Sequence, residues 1–127
     1  MYDIIHTMSN LDRLGAVLRE TRERLGSGSS RYSLRQVAAR VGIEPSYLSK
    51  VERGITAPPS EETLRRLADE LELDEDVVLA LGGKVSSDLQ EVIRRRPQLF
   101  AQLIRELKDL PDHAVLRLVR EVRDGDW

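Results

Sequence analysis

Apolar residues at Leu11, Leu14, Val17, Leu18 and Leu25, with polar residues between them, line one face of a helix, and Asn10 is placed to cap it. Gly26-Ser27-Gly28-Ser29-Ser30 follows and reads as flexible slack rather than as a carrier of Arg31 and Tyr32. Ser33 caps a short helix over 34–41, with Gln36 positioned to complete a capping box, and Gly42 suits the left-handed turn that ends it. Pro45 opens a second short helix over 45–53, at a position where the missing N–H costs nothing, and Gly54 closes it. Pro58-Pro59 breaks the chain. Ser60 opens a helix to about residue 71, and Asp74 caps another over 75–81, closed by Gly82-Gly83.

The remaining third is amphipathic in shorter pieces. Ser87 and Gln90 have capping-box spacing ahead of Leu89, Val92 and Ile93. Pro97 starts a helix carrying Leu99, Phe100, Leu103, Ile104 and Leu107. After Pro111, Asp112 caps a last helix with Val115, Leu118, Val119 and Val122 at i, i+3, i+4, i+7. Neither strand-like alternation nor a fixed-period repeat is present. The pattern predicts an all-α chain of about eight helices: a flexible tail over 1–10, a helical domain over 11–83 and a C-terminal helical region over 84–127.

Composition narrows the function. Hydrophobic residues are 40% and charged residues 33%, as in a helix-rich globular chain, and aromatics are only 4%, so the core is aliphatic. Cys is absent, which removes disulfides and thiolate chemistry. Apolar runs are too short to cross a bilayer, and residues 1–10 lack the flank and core of a signal peptide, so a cytoplasmic location is expected without a membrane partner. His6 and His113 are the only histidines. With no metal-spaced cluster, no phosphate-cradling glycine loop and no nucleophile beside a base, no enzyme, cofactor or metal is expected. The net charge of −2 is unevenly spread. Residues 1–58 carry nine Arg/Lys against six Asp/Glu, and residues 59–127 eleven against sixteen. A basic front half suits a chain that presents one face to phosphate.

The helices over 34–41 and 45–53 have the offsets of a steep crossing. Ala38 is the small residue that lets the second helix approach, Gly42 stands in the turn, and Val37, Val41, Ile43, Leu48 and Val51 are the inward positions. The stretch from Ser33 to Gly54, above all Tyr47-Leu48-Ser49-Lys50-Val51-Glu52-Arg53-Gly54, resembles the Xre/Cro family of phage-repressor-like regulators. Pro58, Ser60 and the Thr63-Leu64-Leu67-Ala68-Leu71 pattern resemble the family's fourth helix, so the likeness runs over about residues 11–81. It implies a five-helix helix-turn-helix domain that binds double-stranded DNA as a dimer on palindromic operators, usually to repress. In such domains the second helix of the motif enters the major groove. The resemblance therefore places Glu44, Pro45, Ser46, Tyr47, Ser49 and Lys50 on the groove-facing side, with Lys50 and Tyr47 at bases, Ser46 and Ser49 at bases or phosphates, and Glu44 accepting from cytosine or repelling wrong approaches. It gives Arg53 to a phosphate, and Ser33, Arg35 and Thr56 to the backbone. Tyr47 alternatively packs, Ser49 alternatively is only small enough for close approach, and Glu52 is expected to pair internally. One departure is Leu34, where many phage repressors have a bracing Gln. Arg94-Arg95-Arg96 ends a helix, where cations suit the dipole, and this reading is preferred to a second phosphate site.

The helices after residue 83 must bury their stripes against something. Leu99, Phe100, Leu103, Ile104, Leu107, Val115, Leu118, Val119 and Val122 are expected to form a homodimer seam, the alternative being one enlarged core. The competing function is an antitoxin, or a regulator controlled by a second protein that grips these helices.

Overall fold

Side-chain oxygens set three helix starts in the structure, a computed structural model that describes residues 10–127. Ser33 Oγ accepts from Gln36 N at 3.2 Å, Ser60 Oγ from Thr63 N at 3.3 Å and Asp74 Oδ1 from Val77 N at 3.1 Å. Each satisfies one of the donors that a helix N-terminus leaves unmatched. The elements are α1 (Asn10–Leu25), a 3-10 turn (Ser30–Tyr32), α2 (Leu34–Val41), α3 (Pro45–Glu52), α4 (Glu61–Glu70), α5 (Glu75–Leu81), α6 (Ser87–Arg95), α7 (Pro97–Leu107) and α8 (Asp112–Asp124). Among the described residues there is no strand, as expected of an all-α chain. Of the tail expected to be flexible, residues 1–9, His6 included, lie outside the described residues.

The chain divides into two units, Met1–Ser86 and Ser87–Trp127. In the first, α1 contributes Leu14 and Leu18, α2 Val37, Ala38 and Val41, and α3 Leu48 and Val51 to one buried cluster. Leu64, Leu67 and Ala68 of α4, Leu71 just beyond it, and Val78 and Leu79 of α5 complete it. Burying each of the larger aliphatic side chains contributes about 1.5–3 kcal/mol. The predicted inward positions of the α2–α3 pair are all there, with Ile43 half-buried against the rest. Gly42 takes φ 87°, and the N–H groups of Gly42 and Ile43 both donate to the Ala38 carbonyl, at 2.9 and 3.0 Å. That left-handed residue turns the chain between the two helices.

A second glycine sets the approach of α1 to α3. A Cβ on Gly15 would collide with the Glu52 carbonyl oxygen and stand 2.7 Å from that of Val51. Any larger residue would push the two helices apart.

Local expectations need three corrections. The Gly/Ser segment is not slack: Ser29 Oγ accepts from Arg31 N at 3.1 Å, Ser33 N donates to Ser30 O at 3.1 Å, and Tyr32 packs half-buried against the core. The same Ser33–Ser30 bond occupies the donor that a full capping box over Gln36 would use, so only half of that box forms. Asn10, Ser87 and Asp112 are the first residues of α1, α6 and α8 rather than the caps ahead of them. Pro111 caps through its carbonyl, which accepts from Ala114 N at 3.0 Å and Val115 N at 3.2 Å.

The second unit consists of α6, α7 and α8, none of which holds a buried residue. Leu103, Leu107, Val115, Leu118, Val119 and Val122 line an open apolar groove of about 520 Å³, with Arg123 at its rim. No helix among the described residues is long and apolar enough to cross a membrane.

Candidate nucleic-acid interface

Pro45 starts α3 after Glu44, whose extended backbone and free carboxylate leave the helix start uncapped by its own side chain. From there the α3 side chains divide by face. Leu48, Val51 and Glu52 turn inward, while Ser46, Lys50 and, just past the end, Arg53 are exposed. Glu44, Ser33 and Arg35 are exposed as well, and Pro45, Ser49 and Thr56 are half-buried. Tyr47 is half-buried with its side chain against the core, so it packs whatever else it does. Ser49 lies in a cleft of about 300 Å³ shared with Arg19, Arg22, Leu34, Glu52 and Arg53. Arg53 folds over its own helix, Nε donating to the Ser49 carbonyl at 3.3 Å. Leu34, at the departure from the phage-repressor pattern, is half-buried against the core and walls this cleft.

Glu52 pairs internally, as expected, and its partner comes from another helix. Arg22 Nε reaches Glu52 Oε2 at 2.8 Å and Nη2 reaches Oε1 at 2.9 Å. The hydrogen bond to Glu52 is the main reason the Arg22 guanidinium is held above its ordinary pKa, against the opposing effect of burial. Sequence reasoning named Glu52 but not Arg22, because thirty residues separate them and no local spacing connects them.

The cations sort by partner. Arg19 is held by Glu23, Arg22 by Glu52, Arg40 by Glu70, Arg65 by Glu61 and Arg66 by Glu62. Among the described residues of 19–58, Arg24, Arg31, Arg35, Lys50 and Arg53 have no carboxylate partner. Three of these stand on α2 and α3 or at the α3 terminus. Their positive charge is uncompensated, which is what a polyanionic backbone requires of a surface. The acidic excess lies elsewhere: residues 59–86 carry eight Asp/Glu against three Lys/Arg, whereas residues 87–127 carry eight of each. The C-terminal helices, taken together, are therefore neutral. Among the described residues, no group of His, Cys, Asp or Glu could hold a metal ion.

Residues 13–81, over half of the chain, match the family described as "Helix-turn-helix domain". A 61-residue stretch is 38% identical to the HTH-type transcriptional regulator SlrR of Bacillus subtilis (strain 168). The match covers 48% of this chain and 37% of that protein, so little more than a third of the relative's length is represented. No solved structure matches the chain at a significant level. The matched residues are those of α1 to α5, which hold the α2–turn–α3 geometry described above, and the chain belongs to the helix-turn-helix domain family, of the Xre-like type.

Proposed function

We propose that this protein is a sequence-specific DNA-binding transcriptional regulator, acting as a homodimer that represses from a palindromic operator. The observation that carries the reading is an exposed polar α3 face flanked by Arg35, Lys50 and Arg53, none of them neutralised by a carboxylate. The relative named as a transcriptional regulator supports it over the same region. With α3 in the major groove, Lys50 donates to guanine O6 or N7, and Ser46 and Ser49 reach base edges or phosphates. Glu44 accepts from cytosine, Pro45 and Tyr47 offer apolar contact to a thymine methyl, and Arg53, Arg35, Ser33 and Thr56 hold the backbone.

The dimer reading rests on the second unit. Three amphipathic helices without one buried residue cannot be stable by themselves, and a second copy is the occupant that their charge favours. The unit is neutral, with Asp112 opening α8 and Arg120 and Arg123 near its end. An antiparallel second α8 sets these opposite charges side by side. The seam is then Leu99, Phe100, Leu103, Ile104, Leu107, Val115, Leu118, Val119 and Val122.

Selection of the full chain against a random duplex pool tests the whole reading. The expected product is an inverted repeat with half-site centres about 34 Å apart. A site without two-fold symmetry rejects the dimeric arrangement, and failure to enrich any sequence rejects specific DNA binding.

A further inference from the structure

We propose that the 3-10 turn Ser30–Tyr32 is a second grip on the DNA backbone, with Arg31 as a phosphate-binding residue. The inference rests on the DNA-binding reading and adds to it a contact outside the helix-turn-helix.

The turn is built to hold one position. Ser29 Oγ accepts from Arg31 N, the Arg31 carbonyl accepts from Arg40 Nη2 at 2.8 Å, and the Tyr32 carbonyl accepts from Arg22 Nη1 at 3.1 Å. Both anchoring arginines are themselves fixed by ion pairs, Arg22 to Glu52 and Arg40 to Glu70. The half-buried Tyr32 ring then carries two guanidiniums, Arg40 at 5.6 Å and Arg31 at 5.8 Å from its centroid. These two cations have different fates. Arg40 is neutralised at 2.6 Å by Glu70, whereas Arg31 is exposed and has no carboxylate partner among the described residues.

Arg31 is also close to the proposed backbone contact. It precedes Ser33 by two residues, so their Cα atoms are at most about 7 Å apart. An unpaired arginine seated on an aromatic ring, on a backbone already immobilised, loses little freedom when it meets a phosphodiester oxygen. Its guanidinium presents the donor fork that suits phosphate. Such a contact reads no sequence.

The test is duplex binding by the full chain across a salt series, with the selected operator and with a 20-base-pair duplex of unrelated sequence. For Arg31→Ala we expect roughly five- to tenfold weaker binding to both duplexes at 0.1 M salt, and a salt slope lower by about one. Arg31→Lys is expected to keep the slope. An Arg31→Ala protein that binds like the parent overturns the inference, and if Arg53→Ala still weakens binding, the reading of α3 stands. Loss on the operator alone overturns it too, because that assigns Arg31 to a base. Equal loss in Arg31→Ala and Arg31→Lys overturns it by tracing the effect to the turn's structure. A parent protein that binds neither duplex refutes the DNA-binding reading itself.

Discussion

Arg22 of α1 grips both carboxylate oxygens of Glu52 in α3 and, with its remaining nitrogen, the carbonyl of Tyr32. One guanidinium therefore fixes the recognition helix candidate to α1 and to the turn ahead of α2. The side chains are 13% and 5% exposed, so the pair is largely removed from water and its two-pronged geometry offsets that desolvation.

Removing one partner leaves the other charge buried alone. Arg22→Met and Glu52→Gln are each expected to destabilise the fold by about 3–5 kcal/mol. The double variant should lose less than the two single losses together, as urea unfolding would measure. Arg22 has its folded pKa raised, so its contribution is present below the ordinary arginine range and is lost only as pH climbs through the folded value. The Arg22 part of the stability should thus be flat through neutral pH, and a steep dependence there would contradict it.

Gly15→Ala tests the α1–α3 approach. Alanine improves helix propensity by about 1 kcal/mol, yet its methyl meets two main-chain carbonyls that no rotamer change can clear. A net loss of stability is expected in thermal unfolding, and a gain would show that the two helices can separate freely.

Lys50 and Arg53 are expected to fail differently. Lys50→Ala should lose about 1–3 kcal/mol of operator binding and relax specificity at one position. Arg53→Ala should weaken all duplexes alike and lower the salt slope by about one. Quantitative binding on operator and scrambled duplexes separates the two, and unchanged affinity in both variants removes α3 from the groove.

The seam is tested by charge. Leu103→Asp and Val119→Asp lie on the open groove, about half exposed in one chain, so neither should unfold the first unit. Sedimentation should find the parent dimeric and both variants monomeric. A parent that is monomeric, or variants that stay dimeric, would move the dimer contact elsewhere or assign the groove to a second protein.

The helices and the motif were legible because their signals are local. Ser33, Ser60 and Asp74 cap within three residues, Gly42 turns the chain where it stands, and the inward offsets of Val37, Ala38, Val41, Leu48 and Val51 repeat within one or two helical turns. The loop over 26–30 misled for the same reason. Its composition describes a free chain, whereas Ser29 and Ser30 enter the turn, and Arg22 and Arg40, from α1 and α2, hold the carbonyls of Tyr32 and Arg31 just beyond it.

By itself, then, the sequence determined an all-helical chain with a helix-turn-helix between Ser33 and Gly54. Only the tertiary structure decided how that motif is held and which of its charges stay free. Arg22 finds Glu52, and Arg40 finds Glu70, each across thirty residues, and Gly15 meets the carbonyls at the end of α3. Pairings at that separation leave no period in the chain. They come into being when the aliphatic core closes and brings the helices together, and the cations they leave unpaired make the surface that α2 and α3 present.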